Sequence, residues 1–582
     1  MSDKKRKRSR SRLLDRLWEY QLEKGYISGS DMRKIADELK ISMVEVKGVI
    51  SFYHFFHTKP TGHYTIYLNK SIISEIMGYK SVKEAFEKET GAKVGEVDTT
   101  GTFGLFETSC IGLSDQEPAA LINFRPFVNL TPKKVKAIIG ALKKRESLDK
   151  LADDVIDNVH HNLGERSIFF REYERGQILK KALKMMRGEI VEELKWSGLS
   201  GRGGAFFPTG LKWDICRKAV GFKKYVICNA DEGEPGTFKD RLLLKEHIGL
   251  LLEGMIIGGY TVGANLGYIY LRAEYYYLKD RIENEIRDFY DMGMLGDSVM
   301  GLEDFDFDIK IQMGAGAYVC GEETALIESI EGKRGEPRTK TFFPVEKGLF
   351  YKPTIVNNVE TFCAAARIIE IGGPEFRELG TDKSTGSKLL SISGDCKKPG
   401  IYEIEWGMKV KELLKLCGAK DTKFVQWSGP SGTLLSKEDF NREISYEDLI
   451  CGGSIMIFDS SRDLWDLLLN FNNFFVEESC GLCTPCRAGN YLVGKRLNRL
   501  KAGIVNYEKL KELKNWSRII KETSRCGLGK TSNNFIIDAM EKFPEVLEAY
   551  VPKEESMLDK EFNLEESLVD YSDYALKINK NG

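Results

Sequence analysis

Apolar residues open the chain at helical spacing. Leu13, Leu14, Leu17, Trp18 and Leu22 share one helical face, and similar short patterns predict three helices over 12–57, with Ser30-Asp31 placed to cap the second. From residue 64 the pattern changes to that of strands. Strands are predicted at 64–68, 103–106 and 119–123, with helical stretches between them, which makes a small α/β unit ending near 145. Residues 146–180 are charged and predicted helical, a linker without readable chemistry. Two apolar strands, 224–229 and 308–312, then run straight into polar, glycine-rich loops. Strand patterns at 389–393, 400–404 and 454–458 define a β-rich module over 387–459, and helical periodicity fills 462–548. Together with a basic tail at 1–11 and a tail at 551–582, these patterns divide the chain into an N-terminal unit (12–145), a loop-rich α/β unit (181–380), the β-rich module and a helical C-terminal unit.

Composition narrows the function classes. At 582 residues the chain is too long for one core. Formal net charge is -1, which gives no electrostatic footprint for nucleic acid, and no apolar run approaches the eighteen residues of a membrane span. Twelve Cys in a large Lys-rich chain without a secretory pattern indicate a reducing, cytoplasmic setting. The basic start, Lys4 to Arg12, leads into an amphipathic rather than an apolar stretch, against twin-arginine export; it reads as a solvated tail, or as a docking arm for an acidic partner.

Four cysteines carry the most specific chemistry. Cys480, Cys483 and Cys486 follow C-x-x-C-x-x-C spacing, and Cys526 arrives forty positions after Cys486. Thiolates two residues apart on a turn reach neighbouring irons of one cubane, and a distant fourth closes the cage. Zinc prefers two separate C-x-x-C pairs, and buried thiols have no reason to adopt this pattern, so a [4Fe-4S] cluster is expected. The other eight cysteines are scattered and read as small buried hydrophobes.

Five polar loops lie between Ser197 and Thr361. The first holds Gly201, Arg202, Gly203 and Gly204 and runs on to Lys212; glycines admit a phosphate close to the backbone, and a following helix offers free N–H groups. It is neither a Rossmann turn nor a Walker loop. The others contain Asn229 to Arg241, Gly314 to Thr324, Lys340 to Pro344, and Lys352 to Thr361. Carboxylates and glycines at strand ends sit where α/β folds bind ligands. Five such loops are better explained by large phosphate-bearing ligands than by solvated surface.

The motifs G-R-G-G-A, F-P-T-G-L-K-W, N-A-D-E-G-E-P-G-T-F-K-D-R, G-A-G-A-Y-x-C-G-E-E-T-A-L, N-N-V-E-T and E-S-C-G-x-C-x-P-C-R-x-G together resemble the NADH-oxidising, FMN-binding flavoprotein subunit of respiratory complex I over 195–530. The N-terminal unit resembles the thioredoxin-like [2Fe-2S] partner of such flavoproteins. Its four cluster positions read Asn69, Ser74, Cys110 and Ser114, so one thiolate remains and the domain is expected to be a scaffold without its cluster. That fusion, with the segments 51–56 and 103–118, resembles the diaphorase subunits of soluble NAD-reducing [NiFe] hydrogenases.

The resemblance implies a multidomain α/β and α+β fold: a thioredoxin-like domain, a Rossmann-like FMN/NADH domain, a ubiquitin-like β-grasp domain and a C-terminal helical bundle with the [4Fe-4S] cluster. It implies FMN held by Gly201, Arg202, Gly203, Lys212, Asn229, Asp231, Glu232, Tyr318, Gly321, Glu322, Asn357, Asn358 and Thr361. NADH would be held by Phe207 and Phe343 stacking on adenine, Glu234 on the carboxamide, Lys340 on the phosphates and Glu323 on the ribose. A carboxylate at Glu323 repels a 2′-phosphate, which predicts NAD(H) over NADP(H). No protein acid or base is needed for hydride transfer. The family usually has Gly where this chain has Phe206, a ring that either swings away or crowds the nicotinamide. Implied partners are a ferredoxin-like iron–sulfur subunit and, through it, a [NiFe] hydrogenase dimer. A molybdenum formate dehydrogenase is the alternative, and a cofactor-less scaffold the reading from a different class.

Overall fold

The computed structural model describes residues 10–339, 341–504 and 507–550, with Tyr507 by its backbone alone. The basic tail to residue 9, Lys340 and the 551–582 tail therefore lie outside the described residues.

The N-terminal helices are Leu13–Lys24, Gly29–Leu39 and Met43–Ile50. The second is capped by Ser28, not by the Ser30-Asp31 pair. Ser28 Oγ accepts from Asp31 N at 3.2 Å and the Asp31 carboxylate accepts from Ser28 N at 3.1 Å, a reciprocal box that leaves Ser30 inside the first turn. These helices pack on the central domain. Trp18 Nε1 donates to Gly314 O at 3.0 Å and Phe55 N to Ala315 O at 3.1 Å. Gly316 has φ +79°, and a Cβ there would lie 2.6 Å from the Phe55 ring, so this glycine serves the domain contact.

Strands β1 (Tyr64–Asn69), β2 (Glu96–Val97), β3 (Phe103–Thr108), β4 (Ala120–Ile122) and β5 (Arg125–Phe127) form one sheet in the order β2-β3-β1-β4-β5, with β1 parallel to β3 and antiparallel to β4. Helices Tyr79–Thr90 and Pro132–Lys143 cover it through Val82, Phe86, Val135 and Ile139.

The segment expected to be a helical linker is mostly not helical. It contributes β6 (Val159–His160), which pairs in parallel with β12 (Gly400–Glu405) of the β-rich module. Ile168 N donates to the buried Glu403 carboxylate at 2.7 Å. A two-residue strand carries no periodicity and is fixed only by its remote partner.

The central sheet is parallel, in the order β10 (Thr354–Asn358), β7 (Tyr225–Ala230), β8 (Leu266–Leu271), β9 (Asp308–Met313). Helices Ile248–Val262 and Val359–Ile371 are buried along nearly their whole lengths, which is why their sequences are apolar all round. Carboxyl ends of β7, β9 and β10 lead into the polar loops. The third sheet runs β14 (Thr433–Leu435), β13 (Thr422–Trp427), β15 (Ser454–Asp459), β11 (Ser387–Gly394), β12, β6.

The C-terminal helices, among them Leu464–Glu477, Asn490–Lys501, Tyr507–Thr523 and Asn534–Lys542, close on Phe471, Phe475 and Phe535. No helix among the described residues is long and apolar enough to cross a membrane.

Candidate functional site

A cleft of about 440 Å³ opens between the glycine loop, the ends of β7 and β9, the β-rich module and the cysteine-bearing helices. At the end of β7, Asn229 Nδ2 donates to Gly321 O at 2.9 Å and its Oδ1 accepts from Asp231 N at 3.1 Å, tying the loops after β7 and β9 together. Glu232 caps the helix Lys239–Glu246, accepting from Asp240 N (2.8 Å), Arg241 N (3.1 Å) and Tyr275 Oη (2.8 Å), while burial pushes its carboxyl up to about 7. Glu234, also raised to about 7 by burial, accepts from Tyr318 Oη and from Ser431 N (2.9 Å). Glu322 caps the helix Glu323–Ile330 through Thr324 N and Ala325 N.

Gly203, Asn229, Asp231, Glu232, Glu234, Tyr318, Gly321, Glu322 and Asn358 all line this cleft. Five residues expected at the flavin are engaged elsewhere. Gly201 N donates to Phe207 O at 2.9 Å, closing the glycine loop. Arg202 N donates to Thr361 Oγ1 at 2.9 Å, but its guanidinium is turned from the cleft, donating to Thr385 O at 2.7 Å over the Trp406 ring. Asn357 Oδ1 accepts from Trp213 Nε1 at 2.9 Å. Lys212 Nζ donates to Val356 O at 2.9 Å and pairs with Glu323 at 3.2 Å, so a predicted phosphate cation and a predicted ribose carboxylate neutralise each other. Phe207 and Phe343 are exposed rings.

Phe206 swings away. Its φ of +52° explains why glycine suits this position, and its ring is buried in the core of the β-rich module, 5.7 Å from the Tyr446 ring and 6.2 Å from that of Trp406.

The sequence left several cleft residues unassigned. Lys239 Nζ is buried against Asp240 (2.6 Å) and Glu360 (3.0 Å), and the β-rich module sends in Ser428, Ser431 and Gly452. Lys239 and Asp240 stand in the N-A-D-E-G-E-P-G-T-F-K-D-R motif, which was a usable signal; the serines come from a loop whose position only the folded module sets. FMN fits the cleft on two observations. Gly204, at φ +102°, has open space where a Cβ would stand, and the buried Asp231 Oδ2 has no hydrogen-bond partner in the protein.

Cys526, Gly527, Leu528 and Thr531 form one wall of the same cleft. Cys480, Cys483, Cys486 and Cys526 feel one another's charge, although among the described residues no three of them are yet drawn together closely enough to hold a metal ion, and hydrogen donors face two of the sulfurs: Asn490 Nδ2 (3.5 Å) and Ser479 Oγ (3.3 Å) at Cys486, and the N–H groups of Leu528 and Gly529 at Cys526. Cys486 sits in a π-turn at Pro485–Gly489. Burial pushes its thiol up to about 12, so holding four thiolates here requires the positive charge that iron supplies. Donor set and surroundings fit a [4Fe-4S] cluster.

The thioredoxin-like domain presents the opposite case. Asn69, Ser74, Cys110 and Ser114 are all buried; Asn69 Nδ2 donates to Glu117, and the Cys110 and Ser114 side chains lie 3.5 Å apart. Burial pushes the Glu117 carboxyl up to about 8 and the Cys110 thiol above its usual range. One thiol and a buried acid do not fit a [2Fe-2S] cluster. The loop is bound to the central domain instead: Arg241 reaches Gly112 O (2.6 Å), Asp115 (3.1 Å) and Asp157 (2.7 Å), and Arg272 donates to Cys110 O at 2.7 Å.

These geometries define a flavin- and iron–sulfur-dependent, NADH-oxidising class of protein, and comparison with known proteins agrees. The model of the Nuo51 FMN-binding domain matches residues 194–367, that of the thioredoxin-like [2Fe-2S] ferredoxin 2–143, and that of the NADH-ubiquinone oxidoreductase-F iron–sulfur binding region 466–550. The alpha subunit of the NAD-reducing hydrogenase HoxS of Cupriavidus necator is 47% identical over 98% of this chain and 96% of its own length. The subunit HndC of an NADP-reducing hydrogenase of Solidesulfovibrio fructosivorans is 43% identical over 66% of this chain and 80% of its own. A crystal structure of an NAD+-reducing [NiFe]-hydrogenase in the H2-reduced state superposes with a TM-score of 0.88 at 33% identity, covering 97% of this chain and 96% of that one. The chain belongs to the family of NAD-reducing hydrogenase alpha subunits, within the wider group of complex I flavoprotein subunits. It is a diaphorase module that uses FMN and a [4Fe-4S] cluster, with NADH as substrate.

Proposed function

We propose that this diaphorase operates in the cytoplasm as the NAD(H)-reacting end of a [NiFe] hydrogenase complex, handing electrons to a ferredoxin-like iron–sulfur subunit. The observation that carries this reading is the shared wall. Cys526 to Leu528 border the same cleft as Gly203, Asp231 and Tyr318, so the place for the flavin and the place for the cluster are contiguous. FMN, when bound, supplies the conversion between a two-electron hydride and single electrons.

The residues of this chain bind and orient. Gly203 and Gly204 open the cleft to a flat ligand; Asn229, Asp231, Glu232, Gly321, Glu322 and Asn358 offer polar contacts to the flavin. Arg202, Asn357 and Thr361 act from behind, holding the glycine loop and the end of β10. Glu234, fixed by Tyr318 and Ser431, orients the carboxamide, and the exposed Phe207 and Phe343 stack on adenine. Lys212 and Glu323 exchange their mutual pairing for phosphate and ribose, with Lys340 assisting at the phosphates.

The test uses the purified full chain: a flavin absorbance band, cluster iron and NADH-driven viologen reduction are expected, and their absence overturns the reading. In the co-purified complex, nickel is expected and molybdenum would point to a formate dehydrogenase. Glu323→Ala should shift the NADPH/NADH preference by about tenfold toward NADPH; an unchanged preference would remove Glu323 from the ribose.

A further inference from the structure

Behind the cleft the protein is not solid. Asp231, Gly233 and Tyr318 border both the cleft and a second, far smaller cavity of about 10 Å³, whose other walls include Ser109, Arg272, Glu274 and Glu478. That volume is about the room one water needs. Ser109, Ala317 and Glu478 also border a third cavity of about 500 Å³, between the thioredoxin-like domain and the cysteine-bearing helices, with the exposed Lys70 on its rim. The three spaces therefore follow one another from the cleft to the surface.

Asp231 and Tyr318 bring polar groups to the first junction; the Tyr318 hydroxyl is given to Glu234, whereas one Asp231 oxygen is unpartnered. Asp231 Oδ2 is buried without a hydrogen bond, and the nearby Arg272 is committed to Glu274 at 2.8 Å and to the carbonyls of Cys110 and Glu232. The other groups near enough to feel the Asp231 charge are Glu274, Glu478 from the cysteine segment, Cys320, Tyr270 and Tyr53. Arg272 is the one cation of this set. Burial and these surroundings raise the Asp231 carboxyl well above the usual carboxylate range. Glu478 shapes the wall, accepting from Tyr318 N at 2.8 Å and from Ser109 Oγ at 3.1 Å.

The geometry points to a proton exit: Asp231, one water in the small cavity and the Ser109 hydroxyl form a relay between the flavin cleft and the larger cavity beside the thioredoxin-like domain. The inference rests on the reading of NADH oxidation in this cleft. Conversion of NADH to NAD+ yields two electrons and one proton. The electrons leave toward the cysteines, and the proton leaves by exchange of O–H bonds along the relay, with no other oxidant or reductant. In NAD+ reduction the same path carries the proton inward. Ser109 suits the role because a hydroxyl both accepts and donates.

The test uses the full chain loaded with FMN and iron, reduced by NADH in weakly buffered medium and mixed with ferricyanide, which takes electrons without protons. Flavin absorbance follows the electrons and a pH-indicator dye follows the proton. Ser109→Leu, which fills the small cavity from the side away from the cleft, should delay the proton behind the electrons by about tenfold or more, whereas Ser109→Ala, which leaves room for water, should delay it by less than about twofold. Asp231→Asn should show the same delay, and in the FMN-free chain it should remove a protonated-carboxyl band from the infrared spectrum. Protons in step with electrons in Ser109→Leu would overturn the relay, as would equal delays in the two Ser109 variants or an unchanged infrared spectrum. Should Asp231→Asn bind no FMN, Ser109→Leu and the infrared band decide. A wild-type chain that NADH does not reduce would overturn the functional reading instead.

Discussion

Two iron–sulfur frames stand in this chain, one on a sheet and one among helices, and they differ as much in what surrounds the sulfur positions as in backbone. Around Cys480, Cys483, Cys486 and Cys526, N–H and O–H donors face two of the thiols, and a cofactor cleft lies beside them. Around Cys110, the positions left to Asn69, Ser74 and Ser114 are buried with Glu117, and Arg241 and Arg272 bind the emptied loop to the neighbouring domain. A cluster site is thus a charge arrangement as much as a set of ligands. Removing the iron leaves polar positions that other polar groups must satisfy.

The comparison can be broken at several points. The largest effect is expected from Cys526→Ser, which should remove cluster iron while retaining FMN and lower NADH-driven viologen reduction by about 100-fold or more, checked by iron analysis and steady-state rates. Retained rates would mean that electrons leave the cleft by another way. Arg241→Met should leave Asp115 buried without its cation and Asp157 with only Lys245 at 3.4 Å, and lower stability by about 3–5 kcal/mol. Denaturant unfolding would show it, with no change in cluster iron; a loss of iron as well would mean that the two frames are coupled.

A smaller effect tests the altered glycine loop. Phe206→Gly relieves a left-handed backbone but empties a buried ring site, for a net loss of about 2–3 kcal/mol, with KM for NADH within about twofold. A changed KM would place the ring in the cleft. The smallest effect depends on pH. Burial raises the Glu117 carboxyl from 4.5 to about 8, so below 4.5 folded and unfolded chains bind the same proton. Between 4.5 and 8 the unfolded chain ionises while the folded one resists, and stability falls. Glu117→Gln should match wild type at the acid end and exceed it by about 2 kcal/mol at about pH 6. A difference that does not grow with pH would mean that Glu117 is not held protonated.

What could be read from the sequence was whatever is written locally. The three N-terminal helices, the strands β1, β3, β4, β7, β9, β11, β12 and β15 and the cysteine spacing follow from periodicity and short motifs, whereas strands such as β8, β10 and β13 did not stand out. Direction was not legible. Nothing near residue 206 says that its ring would find Trp406 and Tyr446, and the guanidinium of Arg202 turns toward Thr385 for equally remote reasons. The strand β6 exists only because β12 waits beside it. Nothing in the sequence marks Glu117, which the fold encloses with Asn69. The lone-thiol reading of Cys110 needed only the missing cysteines, but its bond to the flavin domain needed Arg241 and Arg272, more than a hundred residues away.

The N-terminal helices and the central domain share one surface. Trp18 and Phe55 lie on Gly314, Ala315 and Gly316, inside a core that continues into the central domain. A chain shortened to begin after residue 145 would expose that apolar surface and strip the wall from behind the cleft. The N-terminal scaffold is thus needed by its neighbour whether or not it holds a metal of its own. It works as a keel, built into the hull of the flavin domain rather than hung from it.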